Sequence, residues 1–188
     1  MRFQRHDGKL LITPIPGYTP HIGVLVSTMQ RCRETTILLV QDLTVEQLDY
    51  LFDDEDNSIG ALLLHLGALE AGYQEITFFN RNILNNPERL PKWYVPMELG
   101  APAREQIRGR PATYYLEELA LLREQTLALF RQRDDSWLWE IGSESDNINN
   151  YYQWYHVYED EINHRGEMHW RLSRMPASAV RSTQSAHR

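Results

Sequence analysis

Apolar residues recur every three or four positions through four separate stretches of this chain, and that period limits the fold more than any other feature. The first stretch runs from about Thr19 to Gln41, with Ile22, Leu25, Val26, Met29, Thr36, Leu39 and Val40 at helical spacing. Thr19 followed by Pro20 predicts an N-cap with proline at the first helical position, where a missing N–H costs nothing. Asn57 or Ser58 caps a second helix that reaches about Asn80. A third runs from about Thr113 to Arg133, with Leu116, Leu119, Leu127 and Phe130 along one side, and a fourth from about Ile148 to Leu172. No stretch of any length alternates with the two-residue period of a strand, and no segment repeats. Four amphipathic helices of about 20 residues predict an all-α four-helix bundle.

The connections are uneven. Asp42 to Asp56 contains a short helical piece, with Thr44 and Gln47 spaced as a capping box. Residues 85–111 carry Pro87, Pro91, Pro96, Gly100, Pro102 and Gly109, and read as one long crossover loop, either a functional rim or a plain surface crossing. Asp134 to Asp146 is a second connection, anchored by Trp137 and Trp139. Residues 1–17 read as an arm lying over the bundle, and residues from Ser173 on have little to bury. A chain of 188 residues suits one domain, expected over 1–175, with 176–188 as a disordered tail.

Composition excludes several function classes. A net charge of −7 with arginines scattered along the chain argues against nucleic-acid binding, because phosphate contacts need clustered cations. The single cysteine, Cys32, allows neither an intramolecular disulfide nor a cysteine-based zinc cluster. It falls within a helical pattern and reads as a buried structural thiol, in keeping with a reducing cytoplasm. No stretch resembles a signal peptide or reaches the length of a membrane span. A soluble cytoplasmic protein acting on a small molecule is the expectation.

Polar residues that break into apolar faces carry the chemistry. On the second helix, His65 projects into an arc of Leu62, Leu66, Leu69, Tyr73 and Ile76, flanked by the small residues Ala61, Ala68 and Gly72. On the fourth, Val157, Asp160, His164, Met168 and Leu172 advance by three or four residues and share a face. A buried carboxylate needs a cation or strong donors, and one helical turn lets Asp160 and His164 reach a single ion. With a third donor from a facing helix, two imidazoles and a carboxylate suit Zn²⁺, Ni²⁺ or Fe²⁺. A hydrogen-bonded His–Asp–His cluster without metal satisfies the same spacing.

His156 extends the face by another turn, as a fourth ligand or as a donor behind one. Glu161 and His164 form the Glu-x-x-His pair of diiron bundles, but no second pair accompanies Glu70 on the second helix, which argues against diiron chemistry. Glu159 and Arg165 read as solvated, and His169 lies off the seam. The run Tyr151, Tyr152, Trp154, Tyr155 and Tyr158 reads mostly as packing, with some rings free to wall a pocket.

Two segments, NSIGALLLHLGALE at 57–70 and HVYEDEINHRGEM at 156–168, resemble the DinB/YfiT-like superfamily, and the likeness extends loosely over 18–175. The resemblance implies a mononuclear metal site with one histidine from the second helix and two ligands four residues apart on the fourth. Carried over, these are His65, Asp160 and His164. Many relatives have histidine where this chain has Asp160. The mycothiol-dependent maleylpyruvate isomerases carry glutamate there, one methylene longer. The resemblance further implies a metal-activated thiol or water, used by a thiol-dependent S-transferase or a hydrolase. Mycothiol, bacillithiol or a similar small thiol would be the cosubstrate, and a homodimer the assembly. The rival implication is a non-catalytic metal-binding stress-response protein with a structural ion.

Overall fold

The computed structural model describes residues 11–143 and 147–176. The described residues fold into helices and turns: α1 (Pro20–Val40), α2 (Val45–Leu48), α3 (Ile59–Phe79), α4 (Leu90–Glu98), α5 (Gly100–Gln106), α6 (Ala112–Phe130) and α7 (Asn150–Arg174). The four long helices form a ring in which α1 packs on α6 and α7, and α3 also packs on α6 and α7. The expected all-α bundle is what the chain forms.

The helix starts follow local chemistry. Ser58 accepts the N–H of Ala61 at the head of α3, and Asn149 accepts that of Tyr152 at the head of α7. Both halves of the capping box Thr44–Gln47 are present. Thr19 occupies the N-cap of α1 but makes no cap bond of its own; its hydroxyl donates to Asp135 instead. The Asp135 carboxylate then accepts the N–H groups of His21 and Ile22, so α1 is capped from the 3₁₀ turn Asp135–Trp139.

The segment expected as a long loop differs most. Residues 85–111 carry α4 and α5. Pro91 lies in the first turn of α4, where its missing N–H breaks no bond, and Leu99 (φ 56°) and Gly100 (φ 66°) make the break before α5. Burial of Trp93 holds α4 against α3, at a place where only Gly67 fits. A side chain there would begin 2.8 Å from the Trp93 ring.

The last helix also runs further than expected. It continues through Arg174, with Met175 buried after it, because Arg171 donates to the Asn57 carbonyl and pairs with Asp56. The expected tail beyond residue 176 lies outside the described residues, as does the arm before residue 11. The described part of the arm lies over α1: Ile15 and Tyr18 pack on its apolar cluster, and Ile15 passes where a side chain on Gly23 would stand.

The two larger of three apolar clusters fill most of the bundle. One gathers Leu62, Leu66, Tyr115, Leu119 and Met168, the other Met29, Phe78, Phe130, Trp137 and Trp154. Between them, each long helix contributes one buried side chain to a central group of ion pairs: Arg33, Glu70, Arg123 and Glu161. None of the described helices is long and apolar enough to cross a membrane.

Candidate metal centre

Most of α3 is buried on every side, and the exceptions form one stripe. His65, Leu69, Tyr73 and Ile76 are half-buried at intervals of four, four and three residues. Opposite them on α7, Tyr152, His156, Asp160 and His164 follow at intervals of four. The two stripes face each other where α3 packs on α7 and are bridged at two levels.

The lower bridge joins His65, Asp160 and His164, whose ligating atoms all lie within 4.8 Å of one another. His65 Nε2 stands 3.9 Å from Asp160 Oδ2, and His164 Nε2 stands 3.5 Å from Asp160 Oδ1. The two imidazole rings meet edge to face, with centroids 5.1 Å apart. Asp160 Oδ2 is buried and has no hydrogen-bond partner. An orphaned carboxylate oxygen of this kind is costly unless a cation completes it, so the residues present fit a divalent ion.

The protein sets the protonation of His65. Its Nδ1 donates to the Pro96 carbonyl at 2.9 Å, in the last turn of α4, where helix carbonyls lack internal partners. That bond leaves the Nε2 lone pair free toward Asp160. Burial pushes the His65 imidazole below its ordinary value of 6.5, and the Pro96 carbonyl and the Asp160 carboxylate only partly offset it. A neutral ring is the form a metal requires. On the far side of His164, Nδ1 lies 3.3 Å from Glu167 Oε1.

The upper bridge joins Tyr73 and His156, hydroxyl to Nδ1 at 3.0 Å, with the rings edge to face. His156 is therefore on the expected face but engaged one turn above the group of three. Burial, with Tyr152 and Asp160 adding to it, raises the Tyr73 pKa to about 12, so its hydroxyl keeps its proton.

Other expectations resolve differently. Glu161 turns inward and is 1% exposed, taken by Arg33 Nε at 2.9 Å, which removes it from any Glu-x-x-His ligand pair. Glu70 accepts both Nε and a terminal nitrogen of Arg123. Arg165, expected in solvent, is half-buried and donates to the Cys32 carbonyl, while Glu159 accepts from the Tyr155 hydroxyl. His169 is exposed, as expected, and Cys32 is buried, with its thiol pKa raised by that burial. The two arginines were missed, although a signal exists: Arg33 follows Met29 by four on the α1 seam, and Arg123 lies four from both Leu119 and Leu127.

The chain was compared with known proteins. No curated protein matches it closely enough to count as a relative. The sequence model of the DinB superfamily matches residues 28–168, a span that takes in α3 and α6 whole, most of α1 and α7, and the segments around His65 and His164. By that match this chain belongs to the DinB superfamily.

Proposed function

We propose that the half-buried face between α3 and α7 is the active site of a metal-dependent enzyme in which His65, Asp160 and His164 hold one divalent ion. The donor set suits zinc or nickel, with iron next. A bound ion of this kind lowers the pKa of a thiol or water toward neutrality, supplying the thiolate or hydroxide for S-transfer to a small electrophile or for its hydrolysis. A low-molecular-weight thiol is the cosubstrate of the first reaction.

One observation carries the reading: Asp160 Oδ2 is buried without a partner between two imidazoles. Around it the chain supplies orientation. The Pro96 carbonyl holds the His65 proton on Nδ1, and the Tyr73 hydroxyl stays protonated against His156. His156 stands outside the group whose ligating atoms lie within 4.8 Å of one another, so three protein ligands are left, and the remaining positions belong to water or substrate. That arrangement favours catalysis over a structural ion enclosed by four protein ligands.

Elemental analysis of the purified protein, alongside His65→Ala and Asp160→Asn, tests the site. We expect about one ion per chain in the parent protein and a loss of at least about tenfold in metal affinity in each variant. Equal metal content in all three would rule the site out. Thiol-transfer assays against an electrophile panel then separate transfer from hydrolysis.

A further inference from the structure

The structure assigns His156 a binding role: held by Tyr73, its ring presents Nε2–H as a hydrogen-bond donor to a carbonyl or carboxylate oxygen of the substrate. The assignment rests on the active-site reading above and adds the chemical class of the electrophile to it.

Geometry fixes the ring. His156 precedes Asp160 by four residues, which puts it on the same half-buried face of α7, about 6 Å along the helix at 1.5 Å per residue. From α3 the Tyr73 hydroxyl meets Nδ1 at 3.0 Å, and the two rings stand edge to face with centroids 5.9 Å apart. Among the described residues that hydroxyl has no other hydrogen-bond partner.

Chemistry then fixes the proton. A phenol hydroxyl donates well and accepts poorly, whereas a bare imidazole nitrogen accepts strongly. Tyr73 keeps its proton, because burial, Tyr152 and Asp160 push its pKa up to about 12. The bond therefore runs from the Tyr73 hydroxyl to Nδ1, and the neutral ring carries its own proton on Nε2.

That second nitrogen is what sets His156 apart. Nε2 has no hydrogen-bond partner among the described residues. Asp160 Oδ2 and His164 Nδ1 are also without partners but are sealed from solvent, whereas His156 Nε2 stays accessible. Tying α3 to α7 uses only the Nδ1 edge. The other edge is an oriented donor left over one turn from the ligand set, the arrangement that places a substrate oxygen beside a reacting centre. A neutral ring held this way offers an N–H and no acceptor on that edge, so it favours carbonyl and carboxylate oxygens over ammonium groups. The electrophile it suits carries such an oxygen within a few bonds of its reacting atom.

Calorimetry on the zinc-loaded protein compares 3-mercaptopropionamide and 3-mercaptopropionate, each with its carbonyl carbon three bonds from sulfur, against butane-1-thiol, which has none. The advantage of the oxygen-bearing thiols over butane-1-thiol should shrink at least about fivefold in His156→Phe, the worth of one hydrogen bond, and at least about threefold in Tyr73→Phe. A loss confined to the amide identifies a carbonyl, and one confined to the acid a carboxylate. Both variants keep the three ligands and should take up zinc as the parent does. Loss of zinc from His156→Phe would make the ring a ligand and overturn the assignment.

Imidazole ¹⁵N resonances of the metal-free protein separate positioning from packing. The parent should show His156 with a bare Nδ1 and a protonated Nε2, and Tyr73→Phe a mixture of the two tautomers. A protonated Nδ1 in the parent overturns the donor. A parent protein that takes up no zinc sinks the active-site reading and the donor role with it, whereas zinc uptake with affinity ratios unchanged in both variants sinks the donor role alone.

Discussion

His65 must be neutral to ligate, and its surroundings already favour that form. Burial lowers its pKa below 6.5, whereas in the unfolded chain it titrates near that value. Below pH 6.5 the unfolded chain therefore binds a proton that the folded chain resists. The stability tied to this ring is present above pH 6.5 and is lost as pH falls from there toward the lower folded value. Urea unfolding of metal-free protein at pH 7.5 and 5.5 should show the parent losing more stability on acidification than His65→Gln. Matching losses would assign the titration to another group. That Asp160 and His164 lie together was legible from helical spacing, whereas His65 stood out only as a break in an apolar face and was joined to them by the family resemblance. The Pro96 carbonyl that orients His65 was not legible, because a backbone acceptor leaves no mark in the side-chain pattern. Nor could spacing choose between the two roles open to His156. It put the ring on the correct face, but the hydroxyl that engages it sits on a tyrosine indistinguishable from its apolar neighbours on α3.

At the scale of elements, the start of α1 shows how far a local rule reaches. Thr19 before Pro20 correctly marked the helix start, yet the oxygen that caps it comes from Asp135, far along the chain. Burial alone would raise the pKa of Asp135, but the Thr19 hydroxyl and the N–H groups of His21 and Ile22 outweigh it and hold the carboxyl at about 2. Its contribution is therefore complete above the ordinary value of 3.8 and disappears as pH falls toward 2. Asp135→Ala should cost about 1 kcal/mol in urea unfolding at pH 7, the usual value of a lost cap, and should flatten the acid limb of the stability profile. An unchanged midpoint would mean that water replaces the cap. The crossover illustrates the opposite failure. Its prolines suggested a loop, but two of them lie in the first turns of short helices, and tertiary burial of Trp93 against Gly67 decides the matter. That packing puts the end of α4 on His65, which makes the segment part of the site.

Across the whole bundle, one charged residue from each long helix meets at the centre, and their balance governs both stability and register. Arg123 reaches Glu70 at 2.7 and 2.9 Å and Glu161 at 3.7 Å, while Arg33 reaches Glu161 at 2.9 Å and Glu70 at 3.4 Å. Burial would raise the pKa of Glu70, but Arg123, Arg33 and Thr126 overcome it and keep the carboxylate ionised. Such an arrangement was hidden because arginines are usually solvated, and Glu70 and Glu161 drew notice only as diiron ligands. Arg123→Met leaves a buried carboxylate underpaired and should cost about 3–5 kcal/mol in urea unfolding. Replacing all four together, Arg33→Met, Glu70→Leu, Arg123→Met and Glu161→Leu, removes every charge of this central group and should recover most of that loss. A quadruple variant no more stable than Arg123→Met would show that the pairs stabilise the fold beyond their desolvation cost. Glu161 directly follows Asp160, so its hydrogen bond to Arg33 and its longer ion pair with Arg123 also fix the rotation of α7 that turns Asp160 and His164 toward α3. The same quadruple variant should therefore stay folded yet bind zinc at least about tenfold more weakly. Unchanged zinc affinity would instead mean that apolar packing along α7 is enough to aim the site.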